Sequence, residues 1–308
     1  MPIIIGVDIG GSHISSAAVN QENLEIVNKS YFRGFVDSKA SKEIILQKWA
    51  EIINKTLAEI DVDTTVGIAF SMPGPFHYET GIAMFEGNDK YESLYNVNIP
   101  LELARYLNNE NVAFRFLNDA TSFGIGSALH QKDGGVDQKV IAITLGTGFG
   151  ASFLNDIIPV INGDDVPQNG CLWDKPFKSN IADDYFSTRW FLRKYEEYSG
   201  KKSSDGVKEI ASIKNEYSTK IFDEFAANLS EFLLPYILEF KADSLVIGGN
   251  IAKCSELFLP KVLQKWKENG VELSVIILEN TEESSIIGSS YMFNEVFWNK
   301  IKEQLPNF

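Results

Sequence analysis

Apolar residues fall into two strand-like pairs almost half a chain apart. Residues 3–7 (Ile-Ile-Ile-Gly-Val) pair with 14–19, and residues 140–145 (Val-Ile-Ala-Ile-Thr-Leu) with 149–154. A glycine turn interrupts each pair: Asp8-Ile9-Gly10-Gly11-Ser12 in the first, Leu145-Gly146-Thr147-Gly148 in the second. Short β-rich runs on either side of such turns read as hairpins. Glycine lets backbone N–H groups approach an anion without a Cβ in the way, so the repeated unit predicts two jaws closing on a phosphate.

Between and after the hairpins the period changes. A third strand is expected near 24–32. Ser41 then caps a helix whose Ile44, Ile45, Trp49, Ile52, Ile53 and Leu57 share one face. A buried strand over 66–70 leads into residues 71–98, a Pro-, Gly- and Asn-rich stretch read as a long functional loop. A helix follows at 100–107, a strand at 112–117, and a helix starting at Asn118-Asp119-Ala120, where ligands sit in open α/β sheets. The second half repeats the plan: strands near 140–145, 149–154 and 157–161, an irregular stretch over 162–181, helices to about 241, and a strand over 244–247. The turn Gly248-Gly249-Asn250 leads to a helix ending near 266, a strand over 273–278, and a closing helix over 282–297. Alternating strands and helices imply an α/β fold, and 308 residues suffice for two domains.

Charge and cysteine usage narrow the function. With 42 acidic against 28 basic side chains, the net charge of −14 argues against nucleic acid and anionic membrane as partners. Two cysteines, Cys171 and Cys254, give no disulfide framework and no metal spacing. No leader-like or bilayer-length apolar run stands out, so a cytoplasmic protein is expected.

Five elements occur in one order: Asp8-x-Gly-Gly-Ser, Pro73-Gly74, Asn118-Asp119-Ala120, Gly146-Thr147-Gly148 and Ile247-Gly248-Gly249-Asn250. Together they resemble the ROK family of sugar kinases and repressors, within the actin/hexokinase/Hsp70 ATPase superfamily, over nearly the whole chain. The resemblance implies two ribonuclease-H-like domains flanking a cleft. They would span 1–118 and 119–289, with a C-terminal helix at about 290–308 packing back onto the first. It implies ATP and Mg²⁺ as cofactors, a sugar substrate and a homodimer. Since the first motif starts at Asp8, no helix-turn-helix is expected before it.

By the same resemblance, Gly10, Gly11, Ser12, Gly146, Thr147 and Gly148 hold the ATP phosphates, and Asp8 binds Mg²⁺ through water. Gly248, Gly249 and Asn250 lie against adenosine. Gly74 and Asn118 contact the sugar, and Asp119 is the catalytic base. A carboxylate in that role removes the proton from a poorly nucleophilic hydroxyl. Helix capping is the ordinary use of an Asn-Asp pair and is compatible with catalysis. His13, just after the first turn, is open between phosphate contact and a solvated hairpin position.

One stretch departs from the family. Where relatives carry Glu-x-Gly-His, this chain has Cys171-Leu172-Trp173-Asp174, and a third sugar-binding Glu aligns with Asp183. A thiol cannot replace a carboxylate's bidentate grip, and Asp supplies no imidazole. Cys171 is equally readable as a small buried hydrophobe. Trp173 is open between stacking on a sugar and packing in the core. The family's cysteine-rich zinc site is absent, as in polyphosphate glucokinases, which makes polyphosphate an alternative donor. The leading expectation is an ATP-dependent kinase for a hexose or aminohexose. The alternatives are a sugar- or nucleotide-binding sensor without turnover and an ATPase acting on protein partners.

Overall fold

Three consecutive isoleucines followed by Gly6 and Val7 seldom stay exposed, and Ile3, Ile4, Ile5 and Val7 are buried at the centre of a sheet. The computed structural model describes residues 2–61, 65–87, 90–109, 112–131, 138–203 and 205–305. In the first half the elements are β1 (Ile3–Ile9), β2 (His13–Asn20), β3 (Phe32–Phe35), α1 (Lys42–Ala58), β4 (Thr65–Met72), β5 (Phe76–His77), β6 (Ile82–Ala83), α2 (Ile99–Leu103), β7 (Ala113–Asn118) and α3 (Asp119–Gln131).

The second half continues with β8 (Lys139–Leu145), β9 (Phe149–Asn155), β10 (Ile158–Pro159), β11 (Pro176–Phe177), β12 (Asn180–Ile181), α4 (Thr188–Ser199), α5 (Gly206–Ile213) and α6 (Glu216–Phe240). It ends with β13 (Ser244–Gly248), α7 (Leu259–Glu268), β14 (Ser274–Ile277), α8 (Thr281–Ser290) and α9 (Glu295–Ile301).

Two sheets of one design result. Among the described residues the first runs β3-β2-β1-β4-β7 and the second β10-β9-β8-β13-β14. In each, a central strand pairs antiparallel with the hairpin strand after it and parallel with a strand that returns through a helix. This duplicated three-antiparallel, two-parallel order is the expected pair of ribonuclease-H-like folds. Each sheet has its own core, one built on Trp49, Phe70 and Phe116, the other on Trp190, Phe225 and Trp266.

Contacts divide the chain into Met1–Gln131 with Glu282–Phe308, and Lys132–Thr281. The first unit therefore keeps α3, and the division falls after Gln131 and Thr281 rather than near 118 and 289. The cause is glycine packing. A Cβ on Gly126 of α3 would stand 1.9 Å from the Ser284 carbonyl oxygen of α8, and one on Gly288 of α8 equally close to that of Ser122. The C-terminal segment also holds β7, where the Arg115 guanidinium lies between the Phe293 and Trp298 rings and pairs with Glu295. The end of the expected C-terminal helix, 306–308, lies outside the described residues.

Local turn chemistry moved several expected boundaries. The third strand begins at Phe32 instead of near 24, because Leu24 and Lys29 adopt φ of 58° and 63° and turn the chain. The strand expected over 157–161 is reduced to Ile158–Pro159 after Asp156 at φ 56°. The closing helix breaks at Asn294, whose side chain accepts from the Phe297 N–H and starts α9.

Candidate active site

In the first unit, three neighbouring parallel strands end on one edge of the sheet. Asp8 pairs in register with Ser71 of β4, and Met72 with Asn118 of β7. Carboxyl ends of parallel strands are where α/β sheets bind ligands. The Ser71 hydroxyl donates to Asp8 Oδ1 at 2.7 Å. Burial nonetheless pushes the Asp8 carboxyl up to about 7, with Ser71 opposing and the charges of Asp119 and Glu282 adding to the rise.

The first glycine turn follows at once. The Gly10 N–H donates to the His13 carbonyl at 2.9 Å, and the His13 ring fills the space a Gly10 side chain would need. The Tyr91 hydroxyl donates to the Gly10 carbonyl at 2.7 Å. Ser12 is exposed, and its carbonyl accepts from Val36. Behind the turn, Glu282 on α8 accepts from the Ser15 and Tyr31 hydroxyls at 2.7 and 2.8 Å and pairs with His13 and Arg33. His13 is thus committed to Glu282 rather than simply solvated, with its ring against Gly10.

Asn118 and Asp119 start α3. Asn118 Oδ1 caps the helix by accepting from the Thr121 N–H, while its Nδ2 donates to the Tyr78 hydroxyl and to Asp119 Oδ1. Asp119 Oδ1 also accepts from the Ala120 N–H at 2.8 Å. Burial raises the Asp119 carboxyl above the ordinary carboxylate range, against these hydrogen bonds and the nearby charge of Lys90. Gly74 lies exposed in the turn just beyond β4.

The second unit repeats the turn with different supports. The Gly146 N–H donates to the Gly148 carbonyl at 3.1 Å, as Gly10 does to His13. Thr188, first residue of α4, donates through N–H and hydroxyl to the Gly146 carbonyl, and Arg189 donates to that of Thr147. Asp183 stands beside this turn: its Oδ1 accepts from the Phe149 N–H at 2.7 Å and its Oδ2 pairs with Arg189. Arg189 escaped sequence reading. Its contact with the turn depends on how α4 packs, and no local pattern signals it.

Gly249, at φ +93°, packs its Cα on the Leu145 backbone, where any Cβ would stand 2.3 Å from the Leu145 carbonyl oxygen. Its N–H donates to the Thr281 hydroxyl, and Gly248 ends β13 beside Thr144 of β8. Asn250 is exposed and accepts from Lys253. Cys171 and Asp174 also meet: the buried thiol reaches Asp174 Oδ1 at 3.8 Å and the Gln168 carbonyl at 3.6 Å, while Asp174 pairs with Lys175. Burial, followed by the Asp174 charge, pushes the Cys171 thiol up to about 11. Trp173 is 45 % exposed, so it is not a core residue.

Two ribonuclease-H-like folds, each with a glycine turn between its first two antiparallel strands, define the actin-like ATPase class. The ROK family model matches residues 4–165, and the chain belongs to the ROK family. It is 23% identical to the glucokinase of Thermotoga maritima over 298 residues, 85% of this chain and 86% of that one. It is 25% identical to the N-acetyl-D-glucosamine kinase of Vibrio parahaemolyticus over 294 residues, 85% and 89% of the two chains. Among solved structures, the ROK family glucokinase from Streptomyces griseus in complex with glucose and AMPPNP superposes with a TM-score of 0.72. That match covers 95% of this chain and 99% of that one at 17% identity.

The residues at the first glycine turn have a chemistry that magnesium carried by a phosphate ligand would accept. Among the described residues no group of three or more His, Cys, Asp or Glu could hold an ion. A single buried carboxylate beside a glycine turn would suit Mg²⁺, which keeps waters and takes its remaining oxygens from phosphate. Among the described residues, no helix is long and apolar enough to cross a membrane.

Proposed function

We propose that the protein is an ATP- and Mg²⁺-dependent kinase that phosphorylates a hydroxyl of a hexose or aminohexose, with Asp119 as general base. The observation that supports it best is the Asp119 carboxyl, raised by burial, at the carboxyl end of β7 and two strands from Asp8. A carboxylate that holds a proton more readily than an exposed one suits general-base work near neutral pH. Its Oδ1 is fixed by the Ala120 N–H and the Asn118 amide, so Oδ2 is the oxygen to take the proton. The sugar oxygen then attacks the γ-phosphorus, the bond to the ADP oxygen breaks, and the proton ends on Asp119.

Asp8 would hold the magnesium ion, which supplies neutralisation of phosphate charge when bound. The glycine turns 10–12 and 146–148 would hold phosphates, residues 248–250 adenosine, and Gly74, Asn118, Cys171, Asp174 and Asp183 the sugar. The names of the related kinases support sugar phosphorylation as the class of reaction.

The test is ADP release with Mg·ATP over a panel of hexoses and N-acetylhexosamines, with polyphosphate as second donor and Asp119→Asn as control. Turnover on a sugar that falls about 10²- to 10⁴-fold in the variant supports the proposal. The internal bonding of Cys171, Asp174 and Asp183 favours a second reading, a sugar sensor. Binding of a sugar with no turnover on either donor would establish it.

A further inference from the structure

Nothing in the pattern of the chain marks Lys90, yet its side chain lies along the first glycine turn. Measured from the point where a Cβ on Gly11 would stand, its Nζ is at 2.8 Å, Cε at 3.1 Å and Cδ at 3.3 Å. The absence of a side chain at Gly11 is what admits the lysine. The next residue anchors this placement. Tyr91, at φ 57°, is buried between Trp49 and Phe85, donates its N–H to the Ser38 carbonyl, and bonds the Gly10 carbonyl through its hydroxyl. Lys90 is therefore mounted on the turn it covers.

The charges around the turn give the ammonium a task. Asp8, Asp119 and Glu282 are all felt at this edge of the sheet, and His13 and Arg33 are engaged by Glu282. A polyphosphate arriving at the turn adds further negative charge. The Lys90 ammonium is close enough to Asp119 to lower its proton affinity, so its charge reaches both the turn and the proposed base. Lysine serves phosphate as a mobile point charge, and phosphoryl transfer depends on positioned charge more than on covalent chemistry.

We propose that Lys90 is a further catalytic residue, whose ammonium contacts the phosphoryl group held at the Gly10-Gly11 turn. The proposal rests on the kinase reading for its chemistry, while the anion contact itself can be measured without turnover. Two variants, Lys90→Met and Lys90→Arg, are compared with the unaltered protein after circular dichroism and thermal melting show that they fold. Activity is followed with Mg·ATP and the preferred sugar, and inorganic pyrophosphate binding is followed by calorimetry without metal.

The expected result is a fall in kcat of about 10²-fold for Lys90→Met, in the range of a lost preorganised donor. The sugar KM should change less than about threefold, the acid limb of the pH profile should move up, and Lys90→Arg should recover most of the rate. Pyrophosphate binding should weaken about tenfold in Lys90→Met. Unaltered kcat and pyrophosphate affinity in Lys90→Met would overturn the proposal and leave the kinase reading standing. If the unaltered protein turns over no sugar but loses pyrophosphate with the lysine, the kinase reading fails and the anion contact stands. No sugar turnover by the unaltered protein, together with unchanged pyrophosphate binding in Lys90→Met, would overturn both.

Discussion

Ser71 on β4 donates a hydroxyl hydrogen bond to Asp8 on the neighbouring strand β1, at 2.7 Å, and is the first support for a carboxyl that burial drives in the opposite direction. The pair shows a common feature of functional sites. A group held where it costs stability is a candidate for ligand binding.

This cost is measurable. The Asp8 carboxyl stands at about 7 in the metal-free folded protein, against 3.8 for the unperturbed group. Between those values the unfolded chain binds fewer protons than the folded one, so stability falls as pH rises from about 4 to about 7. A three-unit shift corresponds to roughly 4 kcal/mol at the upper end. Asp8→Asn should therefore melt at a higher temperature than the unaltered protein at pH 7.5 without metal, and should no longer be stabilised by Mg·ADP. Thermal melts from pH 4 to 8 check both, and an Asn variant that is less stable at pH 7.5 would contradict the account.

Glu282 behaves in the opposite sense. Burial works against its charge, yet hydrogen bonds from His13, Ser15 and Tyr31 and the His13 charge bring it down to about 2. Its contribution is present above the ordinary glutamate range and is lost as pH falls from about 4.5 through 2. Because the group is partly solvated, the loss in Glu282→Gln should be about 1–2 kcal/mol, less than a fully buried pair would give. Urea unfolding at pH 7 and pH 3 measures it. The difference between the two proteins should shrink at the lower pH.

Gly126 and Gly288 bring α3 and α8 into backbone contact. Gly126→Ala or Gly288→Ala must separate these helices, which costs about 1–3 kcal/mol or more. A fall in Tm of roughly 3–10 °C is expected for a unit of this size. Since α3 begins at Asp119, kcat should fall in the same variants even where they remain folded. Melting curves and steady-state rates on the same preparations test the link.

Cys171 and Cys254 are both buried thiols whose proton affinity is raised by burial. The reactive thiolate is scarce in that state. Iodoacetamide at pH 7.5 should label neither site in the native protein within an hour, while both should react in 8 M urea. Intact-mass spectrometry resolves the two conditions, and rapid native labelling of Cys171 would refute its assigned environment.

The local elements were legible because their determinants are local. Ser41 accepts from the Ile44 N–H at the start of α1, as its cap position requires, and α1 buries Ile45, Trp49, Ile52, Ile53 and Leu57 along one face. Ile44, assigned to that face by spacing, is 58 % exposed. Periodicity defines a stripe but not where its edge meets the neighbouring element. The third strand was misplaced for a similar reason, since two non-glycine residues at positive φ produce a turn inside an apolar run.

By itself the sequence determined the duplicated hairpins, the two glycine turns and the Asn118-Asp119 helix start, because each depends on residues a few positions apart, and the order of these motifs along the chain marked the family. Tertiary structure alone decided what stands around those turns. Lys90 reaches Gly11 from 79 positions away, Arg189 reaches Thr147 from 42, and Glu282 reaches Ser15 from 267. Such contacts are set by strand order and helix packing, and no period along the chain encodes them. The same limit applies to ionisation. Asp8 and Glu282 are both carboxylates, and burial, hydrogen-bond donors and neighbouring charges set one at about 7 and the other at about 2.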